Sequence, residues 1–362
     1  MQTGHDRDIR LFPDLRACAR HAAWVGALVA LPWLAGDFLT GEATLVVIWA
    51  IAGMGLMLLT GHAGQVSLGH AAFLAVGCYA HAILMSRFGL PFALSLPLAG
   101  LLAGGAGLLV AIPAARLHGI YLAILTLALS MLAEDVIVLA APWTGGVGGL
   151  QAPEISILGI AFDRFGSPDR FYWLCLAVAV ATTFVYGNVL RTALGRSLEA
   201  LRDSERAAQA MGVDPVRARM TAFGLSCAAT GMAGALLGHY LYIFNHEAFT
   251  IVLSIQLLLM IVIGGLRSIQ GAWYGAIVLG LLPQAISFAR DGLSAALGAA
   301  PLTIPGLETA VFALLLVLFL VYEPAGIHGW ARKWKLWFEL FPLAPRSLFR
   351  SQRSYLKTER LQ

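Results

Sequence analysis

Long apolar runs constrain this chain more than any other feature. They fall near residues 20–36, 43–60, 69–86, 92–112, 119–141, 171–190, 221–242, 250–266, 271–290 and 305–322. A helix rises ~1.5 Å per residue and the hydrocarbon layer of a bilayer is ~30 Å thick, so each crossing takes about 20 mostly apolar residues. The runs are continuous rather than alternating, which selects helices over a transmembrane barrel. Charged residues make up only 12% of the chain, about half the roughly 25% of a soluble domain. The chain therefore reads as an all-α polytopic membrane protein with about ten transmembrane helices.

Ten crossings place both termini on one side, and the cations test that count. The N-terminus, the turn at Arg116, the segment 191–219, the turn at Arg267 and the C-terminal tail carry 20 of the 24 lysines and arginines. Arg87, Arg164, Arg170 and Arg290 fall on the other face. By the positive-inside rule the richer face is cytoplasmic. Residues 1–19 then form a cytoplasmic N-terminal segment, 20–322 the transmembrane domain, 142–170 an outer loop and 323–362 a basic cytoplasmic tail. Arginines and aspartates precede the first run with no small-residue cleavage site, which predicts an uncleaved first helix. The tail, rich in Trp and Phe near its start, suits anionic headgroups, with a solvated tail the plainer alternative. The net charge of +4 speaks to orientation and not to a nucleic-acid partner.

Several chemistries have no residues to support them. The only lysines are Lys333, Lys335 and Lys357, none preceded by glycine, so no phosphate-cradling GxxxxGK[ST] occurs. No HExxH, GxSxG or cysteine-pair motif is present, and Cys18, Cys78, Cys175 and Cys227 stand singly. They read as small apolar packing residues, with neither a metal site nor a disulfide framework. Glu134, Asp135 and Glu308 lie near the outer ends of apolar runs, where interfacial placement accounts for them without a proton relay. An enzyme is not indicated.

Two segments interrupt the apolar pattern with glycine and polar residues. The first is Gly61-His62-Ala63-Gly64-Gln65-Val66-Ser67-Leu68-Gly69-His70, and the second is Gly264-Gly265-Leu266-Arg267-Ser268-Ile269-Gln270-Gly271. Irregular backbone near a membrane is tolerated where protein buries it or water reaches it. The first segment fits either such a lining or an ordinary cytoplasmic turn. Glycines inside the runs, such as Gly231, Gly234 and Gly238, predict close helix packing. The outer loop carries Trp143-Thr144-Gly145-Gly146-Val147-Gly148-Gly149 and is long enough to be functional or mobile.

The segment 191–219 holds ten charges in 29 residues. At roughly 2.5–3.5 kcal/mol per charge at the bilayer centre, burying it in lipid would cost about 25 kcal/mol or more. Leu194, Leu198, Leu201, Ala208 and Met211 recur at helical spacing, which predicts one amphipathic helix of about four turns. Gly212 suits its exit, and Asp214-Pro215 supplies an N-cap and first-turn proline for the next helix. Such a helix either docks on a partner or rests in the headgroup layer.

The run Arg202-Asp203-Ser204-Glu205-Arg206-Ala207-Ala208-Gln209-Ala210-Met211-Gly212 resembles the cytoplasmic coupling motif of ABC importer permeases, in the variant of the branched-chain amino acid permeases of the LivM type. The general pattern is Glu-Ala-Ala, three residues, then Gly. Here Arg206 stands in place of the acid, while Ala207, Ala208 and Gly212 fit. Further matches are GQVSLGHAAFLAVGCY at 64–79, GIYLAILTLAL at 119–129, TGGVGGL at 144–150, LSIQLLLMIVIGGLRSIQGAWYGA at 253–276 and YEPAGIHG at 322–329.

The resemblance implies a type II ABC importer permease-like subunit of a bacterial inner membrane, with the outer loop periplasmic. It implies pairing with a second permease subunit, two ATPase subunits that bind ATP and Mg, and a periplasmic solute-binding protein, with no cofactor in this chain. The coupling residues it points to are Leu198, Leu201, Arg202, Asp203, Ser204, Ala207, Ala208, Met211 and Gly212. Gln65, Ser67, His70, Thr126 and Thr144 are candidates for the translocation path or its gate. For His70 and Thr126, helix packing or local hydrogen bonding is the competing account. The family's best-known members carry leucine, isoleucine and valine, and similar permeases carry other amino acids, amides, urea or aromatic acids. An ion-coupled secondary carrier, needing no docking helix, is the alternative from another class.

Overall fold

The computed structural model describes residues 15–297 apart from 116, 118 and 158, residues 310, 311, 314 and 317, and residues 326–340. Long helices follow the apolar runs: α1 Leu15–Leu34, α2 Asp37–Leu56, α3 His70–Ser86, α4 Phe92–Ala114, α5 Ile120–Leu139 and α6 Pro168–Arg191. The charged segment holds α7 Ala193–Asp203 and α8 Glu205–Ala210. Beyond it come α9 Pro215–Leu241, α10 Ile251–Gly264, α11 Ile269–Leu297 and α12 Gly326–Leu340. Among the described residues seven helical stretches are long and apolar enough to cross a membrane, namely 37–62, 92–114, 120–139, 168–191, 215–241, 246–264 and 269–288. Two shorter apolar stretches, Ala23–Leu34 and His70–Ser86, coincide with the first and third expected runs. The tenth expected run, 305–322, and Glu308 with it, falls almost wholly outside the described residues.

The core is built around α9, which packs along α4, α3 and α2, while α2 also lies against α11 and α6. With the π turn that extends it, α2 is the most buried of the spans, and α9 follows. Their close approach rests on missing side chains. A methyl group added at Gly234 of α9 would collide with the Leu74 carbonyl of α3, and one at Gly77 of α3 would collide with the Gly231 backbone. In an apolar solvent, where burial of hydrocarbon drives little, such contacts hold helices together through dispersion. Cys78, Cys175 and Cys227 are buried and unpaired, filling the same interhelical space.

At the end of the bundle opposite the charged segment, the outer loop folds onto α9. A helical turn, Ala141–Thr144, runs through Gly145 and Gly146 at positive φ into strand β1, Leu150–Gln151. This strand pairs antiparallel with β4, Ile243–Phe244, just beyond α9. Strands β2, Ile155–Ile157, and β3, Ile160–Phe162, form a hairpin. Arg164 donates to the Tyr240 carbonyl at 2.9 Å and lies 3.7 Å over the Tyr240 ring, pinning the loop to the end of α9.

Gly234→Ala is expected to lower stability by about 1–3 kcal/mol, the usual cost of overpacking a close contact. Gly105→Ala serves as control, because nothing lies within 4 Å of the added methyl group. Thermal unfolding of the two variants in detergent checks the difference.

Candidate functional site

The first polar segment departs from helical geometry while remaining inside the protein. Residues Met57–His62 form a π turn at the end of α2, and residues 63–69 then run to His70 without regular secondary structure. Gln65 and Ser67 are buried, while Gly64 and Val66 are exposed. A fully solvated turn would bury neither.

Buried backbone needs partners, and α5 and α10 supply two of them. Thr126 Oγ1 of α5 accepts from Leu68 N at 2.9 Å, and Ser254 Oγ of α10 accepts from Ala71 N at 2.9 Å. The His70 ring lies between two hydroxyls, with Nδ1 2.9 Å from Ser67 Oγ and Nε2 2.8 Å from Ser226 Oγ of α9. Whichever ring nitrogen carries the proton, one serine accepts and the other donates. His70, Ser67, Thr126, Ser226 and Ser254 are all fully buried. Their observed hydrogen bonds are those of a packing junction, the competing account stated above for His70 and Thr126. Gln65 is buried beside this junction with no partner on Oε1 among the described residues. Thr144 is not brought to the junction: it lies beyond the far end of α5, donating to Ile137 O at 2.6 Å and accepting from Gly146 N at 3.2 Å. Ser226 and Ser254 escaped the sequence reading, although each is a hydroxyl inside an otherwise apolar run.

The charged segment is two helices rather than the expected single one. Ser204 has extended backbone (φ −158°, ψ 108°), and its Oγ accepts from Ala207 N at 3.4 Å, starting α8 afresh. Serine favours such caps because its hydroxyl competes for a backbone N–H. Leu198, Leu201 and Ala208 are buried as their spacing predicts. Met211, expected on the same stripe, is instead 86% exposed, because the break at Ser204 reorients α8 and leaves Met211 at its exit. There Val213 N bonds Ala208 O at 3.0 Å and Gly212 N bonds Gln209 O at 2.9 Å. With Gly212 at φ +85°, this is a Schellman termination. Asp214 Oδ1 then accepts from Val216 N and Arg217 N, with Pro215 in the first turn of α9.

Three polar contacts hold the segment to the bundle. Arg219 of α9 grips Glu205 through two bonds of 2.8 and 3.3 Å. Arg202 Nη1 donates to the Gly61 carbonyl at 2.6 Å, and His62 Nε2 lies 3.7 Å from Glu199 Oε1. Asp203 is exposed, as are Arg206, Ala207, Gln209 and Ala210. The acid of this region, Glu205, thus points back into the bundle, while Arg206 faces outward.

Closely packed apolar helices around a buried polar junction, with a charged segment projecting from one end, make this a multi-pass helical membrane protein. Residues 38–322 match the family described as the branched-chain amino acid transport system permease component, and the chain belongs to it, as a permease of the LivM type. It is similar to the high-affinity branched-chain amino acid transport system permease protein LivM of Escherichia coli (strain K12), with 35% identity over 272 residues covering 69% of this chain and 64% of the relative. The probable LivM permease of Methanocaldococcus jannaschii is 27% identical over 235 residues, 65% of this chain and 67% of that protein. LivH of E. coli K12 is 26% identical over 157 residues, 43% of this chain and 46% of that protein. The chain spans less than two thirds of the length of the E. coli LivM it matches. No solved structure matches it.

Glu205→Ala is expected to cost about 1.5–3 kcal/mol, the range for hydrogen bonds to charged groups, whereas exposed Arg206→Ala changes stability by less than about 0.5 kcal/mol. His70→Ala, which strips two serines of a partner and leaves a cavity, is expected to cost about 2–4 kcal/mol. Denaturation midpoints of the purified variants measure all three.

Proposed function

We propose that this chain is a permease subunit of an ATP-driven importer for branched-chain or related hydrophobic amino acids, set in a bacterial inner membrane. It forms half of a translocation path with a second permease subunit. A periplasmic solute-binding protein delivers the solute to the face bearing the outer loop. Two ATPase subunits, which bind ATP and Mg, engage the segment 193–212. Gln65, beside the buried junction, and Thr144, beyond the far end of α5, remain the path and gate candidates, with Ser67, His70 and Thr126 shaping the backbone next to Gln65.

The observation that carries the reading is the division of labour within the charged segment. Leu198, Leu201 and Ala208 seat it on the bundle, Glu205 and Arg202 tie it down, and Ala207, Ala210 and Met211 are left exposed on α8 and at its exit. A large apolar side chain held in water by a rigid turn suits insertion into a partner's pocket, where a few anchors dominate binding. The names of the similar proteins support the solute class. Helix α12 exposes Trp330, Trp334 and Trp337 along one stripe, together with Arg332 and Lys333. That face suits anionic lipid headgroups, where indole rings and cations are both favoured.

Met211→Asp is expected to leave the chain folded and to weaken ATPase copurification about tenfold or more, equivalent to ~1.4 kcal/mol. Gly212→Leu, strained at positive φ, and a bulky residue at Ala208 are expected to uncouple ATP hydrolysis from uptake. Unchanged uptake in all three would overturn the docking role. Binding of leucine, isoleucine and valine to the cognate solute-binding protein, compared with urea, amides and aromatic acids, checks the solute class.

A further inference from the structure

The π turn at Met57–His62 sits where three otherwise separate parts of the molecule meet. A π turn is rare and is found mostly where function demands a local departure from the α-helix. Its last carbonyls have no partner within the helix. Gly61 O is satisfied instead by Arg202 of α7, at 2.6 Å. The bond is charge-assisted and places a cation at the negative end of the α2 dipole. One glycine makes room for this contact and another for the α10–α11 turn. Gly64 has φ +69°, and a side chain there would press on the Arg202 stem at 3.2 Å, while a methyl group at Gly61 would collide with the Leu266 carbonyl between α10 and α11.

Beyond the π turn, the irregular chain is bonded in turn to α5 through Thr126, to α9 through Ser226 by way of His70, and to α10 through Ser254. The charged segment thus reaches one continuous strip of backbone, residues 57–71, and that strip is attached to three spans besides its own. Another polar tie, Glu205 to Arg219, enters α9 directly. Resting on the importer reading above, we infer that Arg202 is a positioning residue that passes displacement of α7 and α8 into the π turn, and that residues 57–71 distribute that displacement to α5, α9 and α10. Packed elements transmit such shifts because they have discrete arrangements rather than continuous give.

The test uses the transporter copurified with its ATPase subunits, in lipid nanodiscs, and compares hydrogen exchange without nucleotide and after trapping with ATP and orthovanadate. In the unaltered chain, trapping is expected to change exchange both in 204–213 and in 57–71. In Arg202→Gln the change in 204–213 persists while that in 57–71 is lost, and uptake per ATP hydrolysed falls about tenfold, within the usual range of coupling between sites. Arg202→Lys, which keeps a charged donor, restores part of both and serves where the glutamine variant does not assemble. Exchange in 57–71 that ignores nucleotide in the unaltered chain, or that responds equally with and without Arg202, overturns the inference while leaving the importer reading intact. Absence of ATPase subunits from the unaltered chain overturns both.

Discussion

Backbone amides that leave the helical ladder inside an apolar body must find partners, and in this protein that requirement is concentrated between residues 57 and 71. Unpaired groups there would each carry the full cost of desolvation. The partners come from far away in sequence: Thr126 on α5, Arg202 on α7, and Ser254 on α10, with Ser226 on α9 bonded to His70. Meeting the demand of this short stretch therefore fixes how those elements sit relative to one another. A buried polar network of this kind favours one arrangement over near alternatives, because each alternative leaves several members unsatisfied.

The second constraint is steric and runs along α9. Glycines let its backbone approach α3 and α4 closely, and the outer loop is joined to its far end by the β1–β4 pair and by Arg164 on Tyr240. At its near end, Arg219 holds Glu205 of the charged segment. The same helix thus bears on the outer loop, the buried junction and the projecting segment. At Gly224, Gly231, Gly234 and Gly238 on this helix an added side chain would collide with a neighbouring element.

How much was legible depends on how local each signal is. Gly212 at the exit of α8 and Asp214-Pro215 at the start of α9 could be read directly, because caps and terminations act within a few residues. The burial of Leu198, Leu201 and Ala208 followed from helical periodicity. Met211 did not, because the periodicity runs on unbroken through Ser204, and only the cap it forms reveals the reorientation of α8. The Glu205–Arg219 pair spans a turn between two helices, and nothing in a charge run distinguishes the one carboxylate that folds back from its solvated neighbours. Among the path candidates, polarity within apolar sequence drew attention to Ser67, His70 and Thr126. It did not separate a junction from a lining, since both need hydroxyls and imidazole in the same places.

Sequence alone determined that this protein lies in a membrane as a helical bundle, and where a charged segment interrupts the apolar runs. Those conclusions rest on solvation, which acts residue by residue and sums along the chain. Only the tertiary structure decided which polar groups in the apolar runs answer one another, which glycines face a backbone, and that Gly61 receives Arg202. Those depend on the mutual register of helices far apart in sequence, and hydropathy, which any crossing helix satisfies equally well, carries no record of it.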